Sequence, residues 1–382
     1  MTSAAQLMKT ARQSIQENEA MDTDLHLSQR LAESNVSKII YALVMPETEQ
    51  VIDAVLDGSV VDRLGGRTKF HHLFREAWTQ KQDAIHEGFF IKWRSWVAPI
   101  VHFDPKGFPF CYPTAGASEA LREAIHAYAA NTRKERFVPK IHVFEGEYEG
   151  FAAYAAAAGI EVQSHGRQDW QKAVATIGAK DQFYISQPSG IDGFVWDEFD
   201  SFACELQRRT PTAEIMLDLT YVGCVAREFN VNADHPNIGA IFLSLSKPAG
   251  VYYHRIGGMY SRKEYPGLFG NKWFKNLCSL SIGIEFMSRF GVQELPCKYR
   301  PVQQQVIRQV NQRLGLELIA ADIFLLGVGE PSHSPSDLER YLLRGSKGEQ
   351  KVRVCLTPLM AHAINPDLNP SVTARYYERI VD

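Results

Sequence analysis

Charge of one sign is not in excess in this 382-residue sequence, because 41 basic and 44 acidic residues leave a formal net charge of −3. Domains that bind nucleic acid or an anionic membrane surface are basic, so the balance argues against both partners. No apolar run approaches the ~20 residues that span a bilayer, and the N-terminus, Met1 to Leu7, has no apolar leader core. We therefore expect a soluble protein of the cytoplasm.

Cysteine is sparse and scattered. The six cysteines form no Cys-x-x-Cys pair: Cys111, Cys204, Cys224, Cys278, Cys297 and Cys355. This pattern indicates neither a zinc site nor a disulfide framework, and we expect reduced packing residues. The His71-His72 pair lacks a carboxylate or third histidine at ligand spacing, so a histidine pair on a helix face is favoured over a metal site.

Apolar residues are abundant enough for a large core. The chain is 45% hydrophobic and 22% charged, and its length suggests roughly two domains. Before residue 95 the pattern is mostly helical, with candidates at Ala4 to Glu19 and Glu47 to Leu56. Strands and helices then alternate: strands at Ile141 to Phe144, Ile160 to Val162, Gln182 to Ser186 and Ala213 to Leu219, with helices near Ala152 to Ala158 and Asp200 to Arg209. This alternation predicts an α/β fold with a mostly parallel sheet and helices on both faces.

Lys247 carries the most informative local pattern. It lies in Ser-Leu-Ser-Lys-Pro-Ala-Gly, directly after the apolar strand candidate Ile238 to Ser244, and Arg255 follows eight residues later. Reactive groups gather where strands end in open α/β sheets. A lysine that forms a Schiff base needs a pocket that lowers its pKa, and Arg255 could hold a phosphate through its two-pronged guanidinium. The alternative is a solvated lysine in a turn.

Asp218 ends a second apolar run, Ala213 to Leu219. An acidic side chain is costly to bury there unless it pairs with a positive group, and a protonated pyridine nitrogen is such a partner. Tyr221, three residues later, could reach a phenolic oxygen on the same ring. The alternative for Asp218 is a helix cap.

A third candidate site element precedes Asp218 and Lys247 in the sequence. Gly116, Ala117 and Ser118 join a Pro/Gly-containing turn to an Ala-rich helix, and small residues at such a start leave backbone N–H groups open to an anion. An ordinary helix start is the alternative. Tyr148, thirty residues after Ser118, is placed to stack on a planar ring.

The order and spacing of these elements resemble the fold type I pyridoxal 5′-phosphate (PLP) enzymes, the aspartate-aminotransferase-like superfamily, in its class I/II branch. The resemblance runs from about Tyr112 to Arg255 and resumes near Arg353. It implies a large domain with a mostly parallel sheet flanked by helices at residues 70–290. It also implies a smaller α+β domain formed by residues 1–69 and 291–382, and a homodimer in which each active site borrows residues from its partner.

The resemblance also implies residue roles. Lys247 resembles the lysine that forms the Schiff base with PLP, Asp218 the partner of the pyridine nitrogen, Tyr221 the residue bonded to O3′, and Tyr148 the stacking aromatic. The phosphate cup corresponds to Gly116, Ala117, Ser118, Ser244, Ser246 and Arg255. Arg353 resembles the arginine that clamps the substrate α-carboxylate, with a surface salt bridge as the alternative.

Gln187 departs from the family pattern. Members usually show Asn-Pro-x-Gly, whereas this chain has Gln187-Pro188-Ser189-Gly190. The resemblance implies that an asparagine at this position bonds O3′ and helps to hold the substrate carboxylate. Glutamine keeps the amide donor but adds a methylene. Either the pocket is reshaped, or Gln187 reaches another atom, or the change is neutral. This departure puts plain transamination in doubt.

We therefore expect a PLP-dependent enzyme that acts on an amino acid, first of all an aminotransferase. The main alternative is β- or γ-elimination or replacement, including use of an S-adenosylmethionine-like substrate in specialised biosynthesis. A decarboxylase or oxidase of the same fold is a further alternative. A PLP-sensing DNA-binding regulator is disfavoured, because Met1 to Val97 contains no basic recognition-helix run.

Overall fold

The computed structural model describes residues 24–61, 66–80, 83–135 and 137–367, and the helix predicted at residues 4–19 lies outside these ranges. The strands are β1 Ser59–Val61, β2 Arg67–Lys69, β3 Val101–His102, β4 Phe110–Thr114, β5 Lys140–Phe144, β6 Glu161–His165, β7 Gln182–Ser186, β8 Glu214–Asp218, β9 Val231–Asn232, β10 Ile238–Ser244, β11 Gly257–Ser261, β12 Ile319–Ala320, β13 Leu326–Gly329, β14 Leu343–Arg344 and β15 Lys351–Cys355. The helices are α1 Pro46–Asp57, α2 Phe70–Gln80, α3 Asp83–Val97, α4 Ala117–Glu135, α5 Gly150–Ala158, α6 Trp170–Thr176, α7 Phe199–Arg209, α8 Asn271–Phe274, α9 Leu277–Arg289, α10 Glu294–Leu314, α11 Asp337–Leu342 and α12 Thr357–Ile364. Residues 24–33 are also helical.

A seven-stranded sheet forms the centre of the fold, in the order β4-β11-β10-β8-β7-β5-β6. Its neighbours pair in parallel from β10 to β6, whereas β11 is antiparallel to both β10 and β4. The strands predicted at Gln182 to Ser186 and Ile238 to Ser244 have those bounds, and all their residues are buried. This confirms the prediction of an α/β fold with a mostly parallel sheet.

The two faces of the sheet bury different residues, because side chains alternate along each strand. One face packs Tyr184, Met216 and Phe242 against Ala120 and Ala124 of α4. The opposite face buries Phe183, Ile185, Leu217, Ile241 and Leu243 with Phe202 and Leu206 of α7. Helices therefore cover both faces, which explains why these strands are continuous apolar runs in the sequence.

A second sheet lies in the C-terminal part of the chain. It has four antiparallel strands in the order β12-β13-β15-β14. Helix α10 packs on β12 and β13, and α11 packs on β15. A bridge between Ser37 and Cys355 ties an N-terminal segment to β15. The domain boundaries at residues 70–290 stay a prediction.

The remaining expectations from composition can be located in the structure. All six cysteines have free thiols, and Cys224 and Cys355 are buried. His71 and His72 lie exposed on α2 with ring centroids 4.2 Å apart. Within the described ranges, no helix combines the length and apolar character of a membrane span, and no cluster of histidine, cysteine and acidic side chains is placed to hold a metal ion.

Candidate active site

The predicted site residues lie along one edge of the seven-stranded sheet. Strands β4, β5, β7, β8 and β10 run in the same direction, so their carboxyl ends meet at that edge. Arg255 precedes the antiparallel strand β11, which brings it to the same edge. Short sequence motifs that are more than 100 residues apart, such as Ser118 and Lys247, are thereby brought together.

A cavity of about 610 Å³ opens at this edge. Ten of the predicted site residues line it: Ala117, Ser118, Tyr148, Asp218, Tyr221, Ser244, Ser246, Lys247, Arg255 and Arg353. The other two predicted residues, Gly116 and Gln187, are not part of its lining. The cavity is large enough for a small planar cofactor together with an amino acid.

Lys247 follows β10 and reaches into the cavity. Its Nζ donates a hydrogen bond to the Ile40 carbonyl oxygen. Burial of the side chain, with smaller contributions from the nearby Arg255 and Arg353, lowers the pKa of Lys247 to about 8. At pH 7 about a tenth of a lysine with such a pKa is unprotonated, far more than of an ordinary lysine, and the unprotonated amine is the form that attacks a carbonyl carbon.

Asp218 is buried at the carboxyl end of β8. Its Oδ1 accepts hydrogen bonds from Thr220 N at 2.9 Å and Thr220 Oγ1 at 2.5 Å. Within the described ranges these bonds use only Oδ1, which leaves Oδ2 for a partner in the cavity. Burial raises the pKa of Asp218 to about 6, so its charged form carries a desolvation cost that a positive partner would offset.

The predicted phosphate cup lies around Arg255, whose backbone is left-handed with φ 51° and ψ 60°. Its Nη2 donates to the Ala115 carbonyl oxygen at 2.8 Å and to Ser118 Oγ at 3.5 Å. Gly116 has φ +76°, and a Cβ there would lie 2.7 Å from Arg255 Nη2, so the turn accepts no side chain at this position. Gly116 therefore shapes the cup without lining the cavity.

Two buried serines complete the cup. Ser244 Oγ accepts from Ser246 N at 3.1 Å. The buried Ser246 Oγ has no hydrogen-bond partner among the described residues. A buried hydroxyl without a partner is costly, and an anion at this point would satisfy it. Together with the N-terminal N–H groups of α4, these residues fit a phosphate.

The two predicted tyrosines, Tyr148 and Tyr221, line the same cavity. The Tyr148 ring meets Phe151 edge to face at a centroid distance of 5.7 Å, and it lines the cavity. Burial raises the pKa of Tyr148 to about 12 and raises the pKa of Tyr221 still further. Both hydroxyls therefore stay protonated at neutral pH and can donate hydrogen bonds. Stacking by Tyr148 stays a prediction.

Arg353 projects from β15 and is only 3% exposed, so the surface salt bridge considered from the sequence is wrong. Its Nη1 donates to the Gly190 carbonyl oxygen and its Nη2 to the Lys38 carbonyl oxygen at 3.3 Å. Burial lowers the pKa of Arg353 to about 10. An anionic ligand would offset this cost of burying a cation.

Comparison with known proteins agrees with this geometry. No protein-family model matches the sequence, and no curated protein sequence matches it. Among solved structures, a methionine aminotransferase from Escherichia coli has a TM-score of 0.61 at 14% identity, over 89% of this chain and 94% of its own. An aspartate aminotransferase variant from Thermus thermophilus has a TM-score of 0.59 at 12% identity, over 92% and 95% of the two chains. The chain has the aspartate-aminotransferase fold.

This confirms the fold expected from the motifs. The aspartate-aminotransferase fold also accommodates other reactions, since a PLP-bound C-S lyase from Staphylococcus hominis has a TM-score of 0.57 at 11% identity, over 75% of this chain and 81% of its own. At such identities the similarity establishes the architecture only, and the reaction must be argued from the site.

Gln187 is the one predicted contact that the structure places elsewhere. Its Nε2 donates to the Trp196 carbonyl oxygen at 2.9 Å, and its Oε1 accepts from Trp196 N at 3.1 Å. Both ends of the amide are therefore used by the backbone, and the prediction that Gln187 contacts the cofactor is wrong for this conformation. Of the alternatives weighed from the sequence, the one in which Gln187 reaches another atom is correct. Its neighbour Ser186 lines the cavity instead.

Glu147 is a site residue that the sequence did not reveal. It is buried in the lining, with one carboxyl oxygen accepting from Ser186 N at 3.1 Å and the other from Ser186 Oγ at 2.7 Å. Burial, with a smaller contribution from the nearby Asp218, raises the pKa of Glu147 to about 7. Within the acidic loop that includes Glu145 and Glu149, only its position next to Tyr148 distinguishes it.

Glu147→Gln is expected to stabilise the ligand-free protein at higher pH. The folded pKa of about 7 exceeds the usual 4.5, so the wild type loses stability as pH rises from 4.5 to 7 and the penalty is constant above that window. The full penalty is ~3 kcal/mol. Urea unfolding should be measured at pH 5 and pH 8. Between these two pH values the free energy of unfolding of Glu147→Gln should rise relative to that of wild type by up to that amount. The exposed control Glu161→Gln should show no such gain, and a pH-independent difference for Glu147→Gln would contradict the assignment.

Proposed function

We propose that this protein is a PLP-dependent enzyme that acts on an amino acid. The observation that carries the proposal is the meeting of Lys247, Asp218 and the Arg255 phosphate cup in one cavity of the aspartate-aminotransferase fold. When bound, PLP supplies an electron sink that stabilises negative charge on the substrate carbon next to the amine. The residues present fit it, because a free hydroxyl at Ser246 and a cationic Arg255 suit a phosphate while Asp218 suits a pyridine nitrogen.

Each residue then has a defined task. Lys247 would hold the cofactor through its side-chain amine, and its pKa of about 8 suits a general base that takes a proton from the substrate α-carbon. Asp218 Oδ2 would pair with the protonated ring nitrogen. Arg353 would bind the substrate α-carboxylate and orient the substrate in the cavity. The hydroxyl of Tyr221 would donate a hydrogen bond to the ring oxygen.

Transamination is the reaction we propose first, with β- or γ-elimination or replacement as the second candidate. The buried Gln187 supports keeping the second candidate, because its amide is unavailable to the substrate carboxylate. The twenty amino acids and S-adenosylmethionine should be incubated with the protein, with and without a 2-oxoacid. Appearance of a new amino acid only when oxoacid is present would support transamination. Release of a side-chain leaving group without oxoacid would show elimination or replacement.

Arg353→Ala is expected to weaken the binding of every α-carboxylate substrate by ~1.5–3 kcal/mol, the cost of a lost charged hydrogen bond. The apparent affinity should fall for all side chains alike, measured as KM or as Kd by calorimetry. Arg340→Ala is the matched control, because Arg340 lies on α11 and pairs with Asp337 outside the cavity. Unchanged affinity in Arg353→Ala would show that the carboxylate is bound elsewhere.

We also propose that the protein acts as a homodimer with the site near the interface. Tyr252 lines the cavity, with its ring 5.4 Å from the Arg255 guanidinium carbon, and the adjacent Tyr253 is 58% exposed. Exposed aromatic side chains beside a cavity favour a protein partner. Sedimentation at micromolar concentration that showed a fully active monomer would refute this proposal.

A further inference from the structure

A second arginine faces the cavity beside Arg353. Arg344 ends β14, where it pairs with Lys351 of β15. Opposed residues of antiparallel strands point to the same face, and Arg353 is two residues beyond Lys351, so Arg344 and Arg353 share a face as diagonal neighbours. Both line the cavity. None of the roles proposed above uses Arg344.

Arg344 uses only part of its hydrogen-bonding capacity within the protein. Its Nη2 donates to Glu149 Oε1, while its buried Nε has no hydrogen-bond partner among the described residues. The Arg344 side chain is only 17% exposed, whereas that of Glu149 is 67% exposed. The Glu149 carboxylate can therefore turn into solvent, whereas the guanidinium remains facing the cavity and needs another anion in its place.

Positive charge is in excess at this end of the cavity. Arg344 and Arg353 both lie close enough to Lys38 to lower its pKa, after the larger effect of burial. Glu149 and Asp24 are the acidic groups that act in the opposite direction on Lys38. When Arg353 holds an α-carboxylate and Glu149 is displaced, Arg344 is left without a counter-charge.

We propose that Arg344 is a second anion-binding residue of this cavity, that Glu149 occupies it in the absence of ligand, and that the substrate is an amino acid whose side chain ends in a carboxylate. A planar guanidinium binds a carboxylate through two parallel hydrogen bonds, which suits a ligand that spans Arg353 and Arg344. The inference rests on the proposed function for the amine of the substrate, but the two-carboxylate site itself does not depend on the cofactor.

Calorimetric titration with glutarate and glutaramate tests the site without requiring catalysis. These ligands differ by one charge, because glutaramate carries an amide in place of the second carboxylate. Wild type should bind glutarate ~tenfold more tightly, as expected for one charged hydrogen-bonded contact. Arg344→Gln should reduce glutarate affinity to that of glutaramate and leave glutaramate unchanged. Arg340→Gln, the control, should behave as wild type.

Glu149→Gln tests the role of the internal carboxylate. Removing a competitor for Arg344 should make glutarate bind several-fold more tightly, with little effect on glutaramate. Equal affinity of the two ligands in wild type, or an equal loss of both in Arg344→Gln, would overturn the proposal. Unchanged or weaker glutarate binding in Glu149→Gln would remove Glu149 from it.

Turnover of L-glutamate and L-glutamine completes the test. If the inference holds, Arg344→Gln should lower kcat/KM for L-glutamate ~tenfold and leave that for L-glutamine unchanged. Borohydride reduction in the presence of PLP should leave a pyridoxyl group on Lys247 if the proposed function holds. Arg344-dependent glutarate binding in a protein without that group would refute the proposed function and retain the two-carboxylate site. A protein that carries the group but does not distinguish glutarate from glutaramate would retain the proposed function and refute the two-carboxylate site.

Discussion

Lys247→Ala is expected to abolish covalent attachment of the cofactor and to reduce turnover by ~10²–10⁴-fold from the loss of the general base alone. The reason is geometric as well as chemical. The Lys247 amine is desolvated, has a pKa of about 8, and reaches the cavity that also contains Asp218 and Arg255. The measurement is kcat/KM with the best amino-acid substrate, together with the yellow absorbance of the bound cofactor.

Three controls make this result specific. Lys172→Ala alters an exposed lysine that pairs with Asp169, and it should leave turnover unchanged. Circular dichroism should show that Lys247→Ala remains folded. Added methylamine should restore part of the turnover, because a small free amine can enter the space left by the side chain and accept the proton. A Lys247→Ala variant with wild-type turnover would remove Lys247 from the chemistry.

Asp218→Asn is expected to lower kcat/KM by roughly 10²–10³-fold, because truncating one partner of a buried charged pair costs several kcal/mol. Asparagine keeps the shape of the side chain and an oxygen that can accept the bonds from Thr220, so the loss should come from charge rather than from folding. Without the carboxylate, the ring nitrogen of a bound cofactor would lose the partner that we propose for its proton. The measurement is kcat/KM over a pH series.

Asp169→Asn is the matched control, because Asp169 is exposed and lies on the surface at α6. It should leave kcat/KM unchanged. Wild-type turnover in Asp218→Asn would show that the carboxylate does not face the ring nitrogen. Cofactor affinity should also fall in this variant, which gives a second readout that does not depend on turnover.

Much of the fold could be predicted because buried parallel strands are continuous apolar runs. β7 and β10 have the predicted bounds, since each follows a polar residue, Asp181 or Asn237, and ends at a serine. The strand predicted at Ile160 to Val162 instead runs Glu161–His165. Its polar residues pair with β5 at the edge of the sheet, where tertiary pairing outweighs the local pattern.

The residues of the candidate site also fall into those that could be predicted from the sequence and those that could not. Residues within short motifs at strand ends, such as Asp218 and Lys247, could be predicted because the topology of an α/β sheet brings those ends together. The orientation of Gln187 could not, because it is decided by Trp196 in the following loop. The burial of Glu147 depends on Ser186 on another strand, and the position of Arg344 depends on its register with β15. Such contacts leave no periodicity in the sequence.

Borohydride reduction followed by peptide mass spectrometry tests the central claim most directly. The protein should be purified in the presence of PLP, reduced, digested and mapped, with Lys247→Ala treated in parallel. The claim predicts a yellow protein and a pyridoxyl mass on the peptide that contains Lys247, absent from the variant. A protein that stays colourless after addition of PLP, or a label distributed over surface lysines and retained in Lys247→Ala, would contradict it.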